Sequence, residues 1–523
     1  MSLVSERGDR RRFATASVIA LALIALFAAV STRAQAAETV YWDNYRADPA
    51  SVSFSGLDGN GGGALNLTGI TLDSPEGMAF DSATGRLYIA SSEGGTAKKG
   101  EIVFANIDGS GAGVLNTSGA EVNAPYGVAV DPGSRMIYWA NASGGVGDKG
   151  TIAYARLDGS GGGNLNTSGV EVDDPYRVAI DPAGGRIYWG NFGDTPSIGY
   201  ANLNNTGGGG TLALPKEAKT LYGLAVDSAA GRVYWLDSSK GDQQLLFVNV
   251  NGSGGGEVNL AGALLLGGYG LSIDTSIGRL YWANYGEATS VSEAIGFVNL
   301  AGGGGSITPT SAPVNGAQDP VIIKSPTGTG VPPISRNAKD RAALGCSEGS
   351  WAPDLAGSFF YQAPVGFAYQ WTRDGTAVPG ATANAFTATK PGSYACVVTA
   401  SNSQGSTAQT SATANVKAAK IKLTTKKKAK ADAGDLVTFK VKAVNQGDLA
   451  AKKNAKLCVK LPNAAKDDLK APKCKKLGLK GRGKKTLTLK IKVKPAADEG
   501  IDKLTFQVKG SAGKAAKSKI VVR

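Results

Sequence analysis

Histidine is absent from all 523 residues. That removes the commonest general base, the usual partner of a serine or cysteine nucleophile, and the commonest zinc ligand. Cysteine is scarce, at four residues, and the CxxC spacing of a metal site does not occur. Beyond an apolar run from Val18 to Val30, no segment approaches the roughly 20 residues that span a bilayer. Helical patterning is missing as well, because short runs rich in Val, Ile, Tyr and Trp alternate with Gly, Asp, Asn and Ser clusters that favour strands and turns. These absences together point to an all-β, non-enzymatic protein with no cofactor and no metal, and without a transmembrane anchor in its mature form.

The N-terminus carries Arg7, Arg10, Arg11 and Arg12, then the apolar run, then Ala34-Gln35-Ala36, which has the small-x-small form of a cleavage site. Residues 1–36 are therefore expected to be a signal peptide cut after Ala36, and the protein to be secreted or held at the cell surface. Arg10-Arg11-Arg12-Phe13 also fits a twin-arginine core, so the export route stays open. A chain of this length exceeds a single hydrophobic core, and several domains follow.

Self-similarity organises the first of them. A tyrosine recurs in a matching apolar strand at Tyr41, Tyr88, Tyr138, Tyr188, Tyr234 and Tyr281, a period of roughly 50 residues that fits propeller blades. Each period reads as a PxGxAxD strand, a short turn ending in Gly-Arg, a Tyr-Trp strand, a variable loop, a third strand and a short fourth. The LDGSGGG-type segments place Asp-Gly between strands, where glycine supplies the positive φ of a tight turn. They recur once per blade rather than every nine residues, which argues against a calcium loop. A lone four-stranded sheet cannot bury both faces, so six must close into a ring. The strand beginning at Val40 lacks a PxGxAxD partner and the piece 319–324 lacks a following Tyr-Trp, so these halves are expected to complete one blade. The propeller is placed at 37–326.

If PxGxAxD is the innermost strand, its start and the end of the Tyr-Trp strand share one face of the disc. An inner ring of Glu76, Tyr126, Tyr176, Tyr222, Tyr269 and Asp319 is expected there, with a second ring of Asn44, Ser91, Asn141, Asn191, Asp237 and Asn284. Amphipathic tyrosines with a little charge suit recognition, although the amides can equally cap strand ends and the tyrosines pack between blades.

The pattern P-x-G-x-A-x-D followed by R-[LIV]-Y-W resembles the YWTD repeats of the low-density lipoprotein receptor family of propellers. This implies a module that presents one face to a protein, peptide or glycan rather than a catalyst. The chain departs from the family where Asp43, Ala140, Gly190, Leu236 and Ala283 replace the YWTD threonine, and where Ile89 replaces a tryptophan. Six-bladed propellers also host metal-dependent lactonases, for which Glu76 and Asp319 are the available acids.

The stretch SPTGTGVPP, from Ser325 to Pro333, reads as an interdomain linker, placed at 327–338. Over 339–416, Cys346, Trp371 and Cys396, with Tyr394 two residues before the second cysteine, resemble an immunoglobulin-like domain. The resemblance implies a buried tryptophan, a disulfide and a tyrosine corner. Residues 417–523 hold 31 Lys plus Arg against 8 Asp plus Glu, yet period-two runs such as Leu436 to Lys442 and Leu487 to Val493 predict strands with lysine outward. This part resembles CARDB and related bacterial adhesion-type β-sandwiches. Four cysteines allow three connectivities; in an exported chain Cys458 and Cys474 are expected to pair with each other. The basic surface suits an anionic cell-surface polymer, while nucleic acid is not expected for an exported chain without a nucleic-acid motif. The expected architecture is a six-bladed β-propeller followed by two β-sandwich (Ig-like) domains.

Overall fold

Each Tyr-Trp repeat folds into one antiparallel four-stranded sheet whose spatial order follows the sequence. In the fourth blade the strands are Pro175–Asp181, Arg186–Asn191, Ser197–Asn202 and Gly209–Thr211. Alternation sends both faces of the first two strands into neighbouring sheets, and the tryptophans Trp42, Trp139, Trp189, Trp235 and Trp282 are completely buried there. Two glycines are required by this packing: a Cβ on Gly199 would lie 2.5 Å from the Trp189 ring, and one on Gly296 2.3 Å from that of Trp282. The computed structural model describes residues 38–95, 98–239, 242–286 and 295–523; the signal peptide expected over 1–36 lies outside them.

Closure of the ring follows the expectation. The inner strand of the first blade is Ala317–Ile323, and it pairs antiparallel with Thr39–Asn44, from Thr39 opposite Ile323 to Asn44 opposite Ala317. One strand from the end of the domain and three from its start thus make one sheet, which leaves no open edge between first and last blades. At the opposite face the inner strands end in aspartates that cap the turns. Asp131 accepts from the Gly133 N–H at 3.0 Å, and Asp227 from the Ala230 N–H at 2.9 Å. The Asp108 and Asp158 carboxylates similarly accept the Ser110 and Ser160 N–H groups, each at 2.9 Å, within their own turns.

The compact unit built on the propeller does not stop at 326. It also takes in residues 351–366 and 400–407, while residues 328–350, 367–399 and 408–523 form a second unit. Within the first unit, Phe360–Tyr361 adds a parallel strand beside Ala317–Ile323, making that sheet five-stranded. Ser358 Oγ donates to the Val226 carbonyl at 2.7 Å and Ser82 Oγ to the Asp354 carboxylate. Gly357 lies against the Ile180 carbonyl, where a Cβ would come within 1.9 Å. The segment therefore seals the turn face of the disc around its axis. Gln404 reaches the first blade, accepting from Thr39 Oγ1 at 2.9 Å and donating to Tyr41 Oη at 3.1 Å.

In the second unit the stretch expected to be linker contains two short strands, Gly328–Gly330 and Ile334–Arg336. Its prolines Pro332 and Pro333 fall between them, where no ladder donor is needed. A first sandwich follows, with the Cys346–Cys396 disulfide. Trp371 is fully buried with its ring 5.6 Å from that of Phe386, and Tyr394 Oη donates to the Lys390 carbonyl at 2.7 Å. The second sandwich consists of two five-stranded sheets closed over a core that includes Phe439, Leu489, Ile491, Leu504 and Phe506. The alternation from Leu436 to Asn445 puts Val437, Phe439, Val441 and Ala443 inside and Lys440 and Lys442 outside. The expected second disulfide, Cys458–Cys474, is present.

Candidate functional site

On the face opposite the capped turns, the inner strands begin with Glu76, Tyr126, Tyr176, Tyr222 and Tyr269, one per blade. The sixth position is Gln318, not Asp319: Asn44 pairs with Ala317 and Asp43 with Gln318, so the expected assignment was one residue out of register. The four tyrosines are half-buried and touch in sequence around the mouth. Ring centroids are 4.6 Å apart for Tyr126 and Tyr176, 5.5 Å for Tyr176 and Tyr222, and 4.4 Å for Tyr222 and Tyr269. Three loop residues extend this belt: Phe192 lies 5.2 Å from Tyr222, Tyr285 lies 4.9 Å from Tyr269, and Tyr45 lies 6.1 Å from Tyr285. Arg46 stacks over Tyr285 at 3.9 Å. The result is a cup of seven aromatic rings, most pairs tilted or edge-on and Tyr222 with Tyr269 stacked. Phe192, Tyr285 and Tyr45 lie just past the repeat motif, and their only sequence signal is that an aromatic follows the Tyr-Trp strand at the same offset.

The second ring does not reach the surface. Asn44, Ser91, Asn141, Asn191 and Asn284 are completely buried, and Asp237 nearly so. Asn141 Oδ1 accepts from the Asn123 N–H and the Trp139 indole, and its Nδ2 donates to the Glu121 carbonyl and Thr151 Oγ1. Asn191 and Asn284 repeat this pattern with Asp173 and Glu171, and with Leu266 and Leu264. Asp237 accepts from the Lys219 N–H at 2.9 Å and Thr220 Oγ1 at 3.0 Å. In four blades an amide that both accepts and donates holds the entering loop, which is why asparagine recurs.

Beneath the cup the axis is filled by Arg177. It stands where Gly77, Gly127, Gly223 and Gly270 stand in other blades, and it is 3 % exposed. Its guanidinium donates to the Glu76 carbonyl at 2.5 Å and to Gln318 Oε1 at 3.1 Å. It also lies 3.0 Å from the Asp319 carboxylate, an ionic contact made across the ring, from the fourth blade to the first. Tyr176 Oη donates to Glu76 Oε2 at 2.9 Å. Asp43 is buried close by with neither carboxylate oxygen hydrogen-bonded. Phe359, from the sealing segment, helps line what remains of the axial channel, about 10 Å³, room for about one water.

Burial dominates the acid–base behaviour of this cluster. It pushes Asp43 well above the ordinary carboxylate range, with the charge of Asp319 adding to the effect, and it pushes Asp319 up against the opposing pull of Arg177. Glu76 is raised by burial from 4.5 to about 7, with Arg177 and Tyr176 acting the other way. Burial and the charge of Glu76 raise the Tyr126 phenol to about 12. Because folded Glu76 keeps a proton that the unfolded chain releases, stability falls as pH rises from about 4.5 through about 7, by up to on the order of 3 kcal/mol. Glu76→Gln should flatten that part of the profile, measured by denaturant unfolding at intervals of pH. A variant with the same slope as the parent would assign it to other groups.

Arg177 was not singled out in the sequence, although PYRVAID beside PYGVAVD marks it. Among the described residues no cluster of three or more Cys, Asp and Glu is arranged to hold a metal ion, and no helix is long and apolar enough to cross a membrane.

No protein-family model matches the chain, and no curated protein matches it by sequence. Solved structures similar to it include a chain of a nidogen/laminin complex, at 16 % identity and TM-score 0.42, covering 55 % of this chain and 98 % of that one. A putative TolB from Agrobacterium tumefaciens aligns at 13 % identity and TM-score 0.36, covering 55 % and 97 %. A gluconolactonase from Xanthomonas campestris aligns at 13 % identity and TM-score 0.37, covering 60 % and 93 %. The propeller is defined by its own strand pairing.

Proposed function

We propose that this protein is an extracellular recognition protein and not an enzyme, and that its propeller seats a protein, peptide or glycan in the aromatic cup. The observation that carries this reading is the unbroken belt of Tyr45, Tyr285, Tyr269, Tyr222, Phe192, Tyr176 and Tyr126. Rigid rings supply contact area at small entropic cost, and tyrosine is among the residues that dominate binding energy at interfaces. The acids that a catalytic reading requires are engaged at the axis: the Asp319 carboxylate lies against the Arg177 guanidinium, and the Glu76 carboxylate accepts from Tyr176 Oη. The two disulfides suit an oxidising compartment.

Tyr126 and Tyr222 make the cleanest test, since Tyr176 also holds Glu76. Peptide and oligosaccharide arrays probed with the full chain should yield ligands whose affinity drops about a hundredfold in the Tyr126→Ala, Tyr222→Ala variant, with an unchanged circular-dichroism spectrum. Ligands that bind the folded variant as tightly as the parent would remove the cup from the site.

A further inference from the structure

The basic sandwich carries its lysines differently on its two sheets. On one sheet, lysine faces threonine across the central strand pair: Thr438 opposite Lys490, Lys440 opposite Thr488, Lys442 opposite Thr486. Where lysine meets lysine on this sheet it does so in isolated pairs at the edge strands, Lys470 opposite Lys492 and Lys422 opposite Lys514; on the other sheet lysines line up three across. Lys519 stands between Lys503 and Lys428 on its neighbouring strands, and Lys456 stands between Lys509 and Lys476. Directly opposed residues have Cβ atoms about 5 Å apart, and like charges there are destabilising. No acid offsets them: among the described residues these six lysines form no ion pair, and Asp502, the one acid in this sheet's strands, is buried beside the core residue Ile520. The Cys458–Cys474 disulfide fastens the strand bearing Lys456 next to the strand bearing Lys476. A covalent tie thus holds together two strands whose lysines repel.

Two three-lysine rungs left in repulsion make a surface whose charge is completed by an external anion. Lys503 and Lys509 lie on one strand, Gly500–Lys509, six residues and therefore about 20 Å apart. Only an extended polymer spans both rungs. We propose that this sheet face binds a linear polyanion bearing one oxyanion per repeat, a phosphodiester or uronate chain of the kind exposed at cell surfaces. This site is independent of the aromatic cup.

The test uses the full chain with long-chain polyphosphate and alginate as probes, by titration at several salt concentrations. Lys456→Thr, Lys503→Thr, Lys509→Thr and Lys519→Thr combined should weaken binding about tenfold or more at low salt. The salt dependence should become shallower by about 3 in log–log slope, the counterions released at four contacts. The same variant should melt higher than the parent without polymer, since the repulsion is gone. A control with equal charge change on the other sheet at lysines that face no lysine, Lys440→Thr, Lys442→Thr, Lys484→Thr and Lys490→Thr, should bind nearly as the parent does. Equal losses in both variants, inorganic phosphate binding as tightly as polyphosphate, or phosphatidylglycerol vesicles or duplex DNA binding more tightly than either polymer would overturn the proposal.

Discussion

Arg177→Met should destabilise the propeller by about 3–5 kcal/mol, the usual consequence of removing one partner from a buried ion pair. Methionine approximates the length of the side chain but withdraws the cation that acts on Glu76, Asp319 and Asp43 at the axis. Three buried carboxyls then face one another across the ring, and folding must keep them protonated. The sign of the pH effect follows: the folded state binds protons that the unfolded chain has lost, so the deficit should be larger at pH 8 than at pH 5. Adding Asp319→Asn to Arg177→Met should recover part of the loss, giving a favourable coupling in a double-mutant cycle. Denaturant unfolding followed by tryptophan fluorescence suits the measurement, because five propeller tryptophans are fully buried. A loss below about 1 kcal/mol, the scale of an exposed pair, would show that the guanidinium does not hold the ring together.

Tyr361→Ala should cost about as much, 3–5 kcal/mol for emptying a large buried aromatic site. Tyr361 is fully buried, its ring 5.3 Å from that of Phe80, and its hydroxyl accepts the Phe80 N–H at 3.3 Å. It sits 35 residues beyond the boundary of 326 read from the repeats, so a loss within the propeller transition would establish that the ring depends on chain outside its repeats. Tyr361→Phe, which keeps the ring and drops the hydroxyl, should cost about 1 kcal/mol. If the propeller transition in Tyr361→Ala matches the parent, residues 351–361 lie on the disc without stabilising it.

The blades were legible because the tyrosine strand recurs six times, with a buried tryptophan next in five of the repeats and asparagine two residues further on in four. Ring closure was legible for the same reason: a half-repeat at each end. The register of the last strand was not, since AQDPVII has lost the PxG that marks the start of the others, and without it Asp319 and Gln318 exchange places. Nor did the repeat reveal depth. Asn141 and Tyr126 occupy equivalent-looking strand ends, yet the amide is consumed beneath the surface by the Glu121 and Asn123 backbone while the tyrosine forms the mouth. Arg177 was hidden by its position, as one large cation among glycines shows as a departure from a pattern and not as a pattern. The sealing segment was hidden by its composition: SFFYQAP has the apolar character of a sandwich strand, and only three-dimensional packing assigns it to the disc.

The route of the chain through that segment also sets an order of events. Strand Ala317–Ile323 can complete the first blade only after five others have been made; Phe360 and Tyr361 join that same sheet later still, and the Gln404 side chain bonds to Thr39 and Tyr41 after them. Emerging from a ribosome or a translocation pore, the N-terminal strand Thr39–Asn44 must therefore wait, with its inner edge unpaired, for more than half of the protein to appear. During that interval the first blade is the exposed one, and it is where a holding chaperone would find its substrate.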